Sequence, residues 1–123
     1  MQFKSFEDLK VYQDSLDFLV EIYKLLQKEK IKTEFVLANQ LKRATLSISN
    51  NIAEGFERET DKELVRFLYI SKGSAGEVRN IINVLKRINY IDEKEFQEFR
   101  EKILSISKQL SNFIKYILKR DGK

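Results

Sequence analysis

The chain has 123 residues, 42% of them hydrophobic and 34% charged, which suits a single globular core and interrupts the apolar residues too often for a membrane span. It contains no His, no Cys and no Pro, which excludes disulfides, Ser-His-Asp triads, finger-type and protease-type zinc sites, and the Glu-x-x-His di-iron pattern of helical bundles. The net charge of +4 and pI near 9.2 leave room for an anionic partner such as RNA and fit ordinary solubility equally well.

The N-terminal stretch MQFKSFEDLK has neither the apolar run nor the small-residue cleavage site of a secretory signal, so a cytoplasmic location is expected. Ser5 followed by Asp8 reads as a capping box opening a first helix over residues 6–29. That helix carries two apolar rows. Leu9, Tyr12, Leu16, Leu19, Tyr23 and Leu26 form the longer row and are expected to face the core. Val11, Phe18, Ile22 and Leu25 lie almost opposite, and an exposed apolar stripe of this kind marks an interface, so they are expected to join copies of the chain.

Thr33 is a weak cap for a second helix over residues 34–57, whose core row is Leu37, Leu41, Ala44, Ile48 and Ile52. Beside it runs a polar row: Gln40, Arg43, Ser47, Asn51, Glu54 and Arg58. Thr60-Asp-Lys-Glu63 opens a third helix over residues 61–89, with Leu64, Phe67, Leu68, Ala75, Val78, Ile82 and Leu85 inward. Asp92-Glu-Lys-Glu95 opens a fourth over residues 93–120, with Phe96, Phe99, Ile103, Ile106, Leu110, Phe113 and Ile117 inward. The tail from Lys119 to Lys123 is expected to fray. Matched helices joined by short turns predict one all-α domain over residues 1–123, an antiparallel up-down-up-down four-helix bundle.

A hairpin of the second and third helices brings Arg43 level with Ser74 and near Glu77. Buried charges persist only when paired, so an Arg43–Glu77 bond is expected, with Glu54 held by Arg58 or by backbone donors near the turn. Arg43, Ser47, Asn51, Glu54, Arg58 and Glu77 therefore read as a polar structural network. No catalytic residue, metal ligand, cofactor or small-molecule substrate is expected, since general acid/base chemistry here would need isolated carboxylates of strongly raised pKa.

GSAGE, residues 73–77, sets two glycines within a long helix, where each costs about 0.5–1 kcal/mol relative to alanine. Gly73 and Gly76 project away from the core, a smooth surface open to another subunit or to a phosphate backbone, or simply a place where glycine is tolerated. Lys72, Arg79 and Lys86 recur every seven residues, a basic line that could follow phosphates or simply be a solvated face.

FEDLKVYQDSLDFLVEIY, QLKRATLSISNNIAEGFER and RFLYISKGSAGEV, in this order, resemble the three signature blocks of the bacterial proteins named for 23S ribosomal RNA intervening sequences. Arg43, Ser47, Asn51, Glu54, Gly55, Arg58, Phe67, Gly73, Ser74 and Glu77 match that pattern. Tyr12 stands where Trp is common, Gly76 where a bulky residue is frequent, and the turn after the first helix lacks the usual Pro. The resemblance implies a four-helix bundle assembled into a ring, commonly a pentamer, without enzymatic activity. It also implies likeness to the accessory protein of diversity-generating retroelements, a basic pentamer that associates with nucleic acid and a reverse transcriptase. Two functions follow as expectations: a homo-oligomer that binds RNA or a nucleic-acid-processing partner, or an interaction scaffold without nucleic acid.

Overall fold

Acidic and hydroxyl side chains start the helices where the sequence pattern places them. In the computed structural model, which describes residues 3–121, the Thr60 hydroxyl accepts from the Glu63 N–H at 3.2 Å. Asp92 and Glu95 cap reciprocally: the Glu95 N–H donates to Asp92 Oδ1 at 2.8 Å and the Asp92 N–H to Glu95 Oε1 at 3.0 Å. Ser5 and Asp8 cap only a 3-10 turn, Phe6–Asp8. The long helices are α1 (Lys10–Leu25), α3 (Phe35–Phe56), α4 (Asp61–Arg87) and α5 (Glu93–Asp121), with a single turn α2 (Glu29–Lys32) between the first two. Lys119 and Arg120 are thus helical, and the end of the expected frayed tail lies outside the described residues.

Thr33 caps nothing at its own helix start. Its hydroxyl donates backwards to the carbonyls of Glu29 and Lys30, closing α2, and α3 begins after Glu34 with no side-chain cap. Just past the end of α4, Asn89 has a φ of 64°, the left-handed conformation that asparagine tolerates better than most residues. The Tyr90 N–H then bonds the Leu85 carbonyl at 2.9 Å and the Asn89 N–H the Lys86 carbonyl at 3.0 Å, satisfying carbonyls the helix leaves open.

The four long helices pack around one core that includes Leu41, Ile48, Ile52, Leu68, Ile82, Leu85, Ile103, Ile106 and Leu110. Three of the neighbouring pairs are pinned at more than one height. Ser71 Oγ donates to the Ile48 carbonyl and Ser74 Oγ to Ser47 Oγ, while Gly55 lies against Leu64 and Phe67. Arg120 grips Asp61 through two nitrogens at 2.8 and 3.1 Å, and Lys86 reaches Glu93 at 3.5 Å. Gln109 donates to Asp14 at 2.9 Å, Lys102 meets Glu21 at 3.4 Å, and the rings of Phe18 and Phe99 meet edge to face at 6.0 Å.

The structure moves the centre of the α1 seam: Leu9 and Leu26 of the row expected inward are buried, but the middle of that row gives way to the other one. Val11, Phe18, Ile22 and Leu25, expected at an interface between copies, are buried inside the single chain, Phe18 at 2% and Ile22 at 0% exposure. Tyr12, Leu16 and Leu19 are only half-buried, and Tyr23 is 47% exposed. The physical reason is a small residue, Ser15, between Val11 and Phe18, which completes the seam. Residues 11, 15, 18, 22 and 25 alternate steps of four and three, and Ser15 is buried with its hydroxyl returned to the Tyr12 carbonyl at 2.7 Å. Phe, Ile, Val and Leu carry no polar atom to satisfy, whereas each tyrosine hydroxyl in the longer row needs a partner or water.

Candidate functional site

The seam between α3 and α4 is built on small residues. Gly55 continues the apolar row of Leu41, Ala44, Ile48 and Ile52, and a Cβ built on it would stand 2.7 Å from Phe67 Cβ, closer than real Cβ atoms come. The two helices can therefore approach only because position 55 has no side chain. Its place on the core row, a glycine where Leu, Ala and Ile precede it, is the sequence signal of that close approach.

Along the same seam the expected hydroxyl and amide residues do come together. Asn51 Nδ2 donates to both the Ser47 carbonyl (2.8 Å) and Ser47 Oγ (2.9 Å), and Ser74 Oγ donates to Ser47 Oγ at 2.9 Å. Deeper in, Ser71 Oγ donates to the Ile48 carbonyl at 2.8 Å and is fully buried. Among the described residues no buried side-chain nitrogen or oxygen lacks a partner. The polar atoms of this seam thus bond one another.

The charged ends of the row behave differently. Arg43 and Glu77 flank a shallow hollow of about 440 Å³ that is also lined by Gln40, Ala44, Ser47 and Ser74. Both are exposed, and neither forms an ion pair among the described residues, so the expected Arg43–Glu77 bond is absent. A surface pair gains little over hydration and must order two long side chains, which leaves the rim solvated. Glu54 is held by Arg58 at 3.1 Å, as one of the two expected arrangements has it, but this pair is also exposed. Arg58 and Arg66 both lie over the Phe67 ring, their guanidinium carbons 4.8 and 4.6 Å from its centroid, and Arg66 is paired with Glu63.

On α4, Gly73 and Gly76 are exposed, and Cβ atoms built on them would meet nothing within 4 Å. Lys86 of the basic line is bonded to Glu93 of α5, so the heptad row shared by Lys72, Arg79 and Lys86 runs along the α5 side. Arg79 is exposed, Lys72 half-buried, and neither has an ion pair among the described residues.

A larger opening lies between α1 and α5, which touch less closely than α4 and α5 do. This groove of about 650 Å³ has Phe18, Val20 and Ile106 on its walls and Asp14, Asp17, Glu21, Glu101, Lys102 and Ser105 around them. Partial burial opposes the charge on Asp14, but hydrogen bonds from Lys10 and Gln109 outweigh it and hold the carboxyl below its ordinary range. No cluster of three or more His, Cys, Asp or Glu able to hold a metal occurs among the described residues, and no helix there is long and apolar enough to cross a membrane.

The model of the 23S rRNA-intervening sequence protein family matches residues 7–112. Among solved structures, a protein of unknown function from the S23 ribosomal protein family of Bacteroides thetaiotaomicron VPI-5482 superposes with a TM-score of 0.79 at 28% identity, over 85% of this chain and 95% of that one. No curated protein matches the chain. The Gly55 contact, the Ser47–Asn51–Ser74 bonds and the stacked Arg58 occur within the matched region. With a family model spanning most of its length, the chain belongs to the 23S rRNA-intervening sequence protein family.

Proposed function

We propose that this chain is a non-enzymatic, cytoplasmic, homo-oligomeric bundle that binds RNA through a basic surface along α4. The opposed residue pairings of α3 with α4, of α4 with α5 and of α1 with α5 support an antiparallel up-down-up-down arrangement. Absence of His and Cys, together with a seam whose polar atoms satisfy one another, favours a structural role for the network over a catalytic one. Self-association is supported by apolar side chains left on the outside: Val20, Tyr23, Phe35 and Val36 are 55%, 47%, 76% and 75% exposed. A ring, with five copies as the expected number, would repeat one modest basic footprint several times.

The observation that carries the RNA reading is the row of Lys72 and Arg79, both without acidic partners among the described residues, on a helix side smoothed by Gly76. Its mechanism is displacement of counterions from phosphates, and the proposed setting, nucleic-acid-processing machinery, is taken by analogy with the retroelement accessory protein. Filter binding of structured RNA across a salt series tests it. Affinity should fall steeply between about 50 and 200 mM salt, and Lys72→Ala with Arg79→Ala should flatten the dependence by about one unit of slope per lost contact. No binding at low salt, or affinity indifferent to salt, overturns it and leaves the interaction scaffold.

A further inference from the structure

Two hollows on the surface are complementary in charge, and each has an apolar component. The groove between α1 and α5 sets Phe18, Val20 and Ile106 among four carboxylates and one lysine. Asp17 and Glu101 there have no ion pair among the described residues, whereas Asp14 and Glu21 are already bonded to lysines. On the other flank of α1, a smaller hollow of about 240 Å³ is lined by Tyr23, Leu26, Phe35 and Ala38 with Lys32 and Lys42, and by no carboxylate. Phe35 and Val36, the two most exposed large apolar side chains described, stand at the start of α3 beside it. Leaving Phe35 and Val36 in water is unfavourable, and the unpaired carboxylates of the groove attract a partner of the opposite charge.

Resting on the self-association reading, we propose that the occupant of the groove is a second copy of this chain, docked by its Phe35/Val36 corner. The aromatic and branched side chains fill the space against Val20 and Ile106, and Lys32 and Lys42 approach Asp17 and Glu101. The two surfaces differ in sign and lie on different flanks of α1. The contact is therefore head to tail, and each docked copy keeps its own groove open for the next. An arrangement of this kind closes into a ring when the rotation between copies allows it.

Solution mass by light scattering tests the contact, with circular dichroism confirming that each variant stays folded. Phe35→Asp, and separately Asp17→Lys with Glu101→Lys, should each weaken association by about a hundredfold or more; all of these are exposed positions that the core does not use. A third variant, Lys32→Glu with Lys42→Glu, should also be monomeric alone. Mixed with the Asp17→Lys/Glu101→Lys chain it should regain association, because the reversed groove then meets a reversed corner. Variants that keep the wild-type mass overturn this contact and leave self-association standing. A wild-type chain that is monomeric at high concentration removes both.

Discussion

α3 and α4 meet almost backbone to backbone, at Gly55 and along a line of serines, whereas α1 and α5 stand apart over a groove bridged at its edges by Asp14–Gln109 and Glu21–Lys102. Both pairs belong to one core, but they close in different ways. Small residues let the first pair approach closely, and the hydroxyls of Ser71 and Ser74 bond across it. Long charged side chains hold the second pair by contacts that water can replace, so the space between remains usable by a partner. The first pair is closed by contact at Gly55, and the second leaves open space between its helices.

The largest effect that can challenge this contrast is expected at Phe18, which fills the space beneath the groove. Phe18→Ala should cost about 3–5 kcal/mol in urea unfolding, as for other buried aromatics. A small loss accompanied by dissociation of an oligomer would restore the interface reading of that row. Next, Gly55→Ala should destabilise by about 1–3 kcal/mol, because Phe67 Cβ is tied to the backbone and cannot swing aside. If the variant is instead more stable, by the roughly 1 kcal/mol that alanine gains in a helix, the seam is looser than its geometry says.

A smaller effect is expected at the edge of the groove. Asp14 has a folded pKa below its ordinary value of 3.8. Its contribution is therefore present above that value and lost as pH falls through the depressed one. Asp14→Asn should cost about 0.5–1 kcal/mol at neutral pH, discounted for partial exposure, with the difference from wild type vanishing in acid. The least effect is expected at Arg43→Ala and Glu77→Ala, each below about 0.5 kcal/mol, since both are solvated and unpaired among the described residues. A loss of several kcal/mol at either would bring back the buried pair.

These contrasts also show what a one-dimensional pattern can carry. The starts of α4 and α5 are readable because Thr60 and Asp92 sit directly before acidic first turns, and the inward rows of α3 and α4 follow one periodicity; in α5 the row shifts near its end, where Ile114 is buried and the expected Phe113 is half-buried. α1 offers two apolar rows, and the structure buries the ends of the longer one, Leu9 and Leu26, but takes its middle from the other, Val11, Phe18, Ile22 and Leu25, around the buried Ser15. In the seam, Ser47, Asn51 and Ser74 meet as their spacing requires, because hydroxyls and amides reach only short distances. Arg43 and Glu77 do not, because long side chains at a rim have freedom that spacing cannot encode. The groove was invisible in the pattern, since it arises from the separation of two helices far apart in the chain.

The uncovered backbone at Gly73 and Gly76 has a further consequence. In an isolated chain nothing near these residues resists a methyl group, so replacing both by alanine should raise the melting point through helix preference alone, by about 0.5–1 kcal/mol for each site. Any accompanying loss of assembly or of RNA retention would then be a trade of foldedness against contact. The bald strip can thus separate what serves the fold from what serves its company.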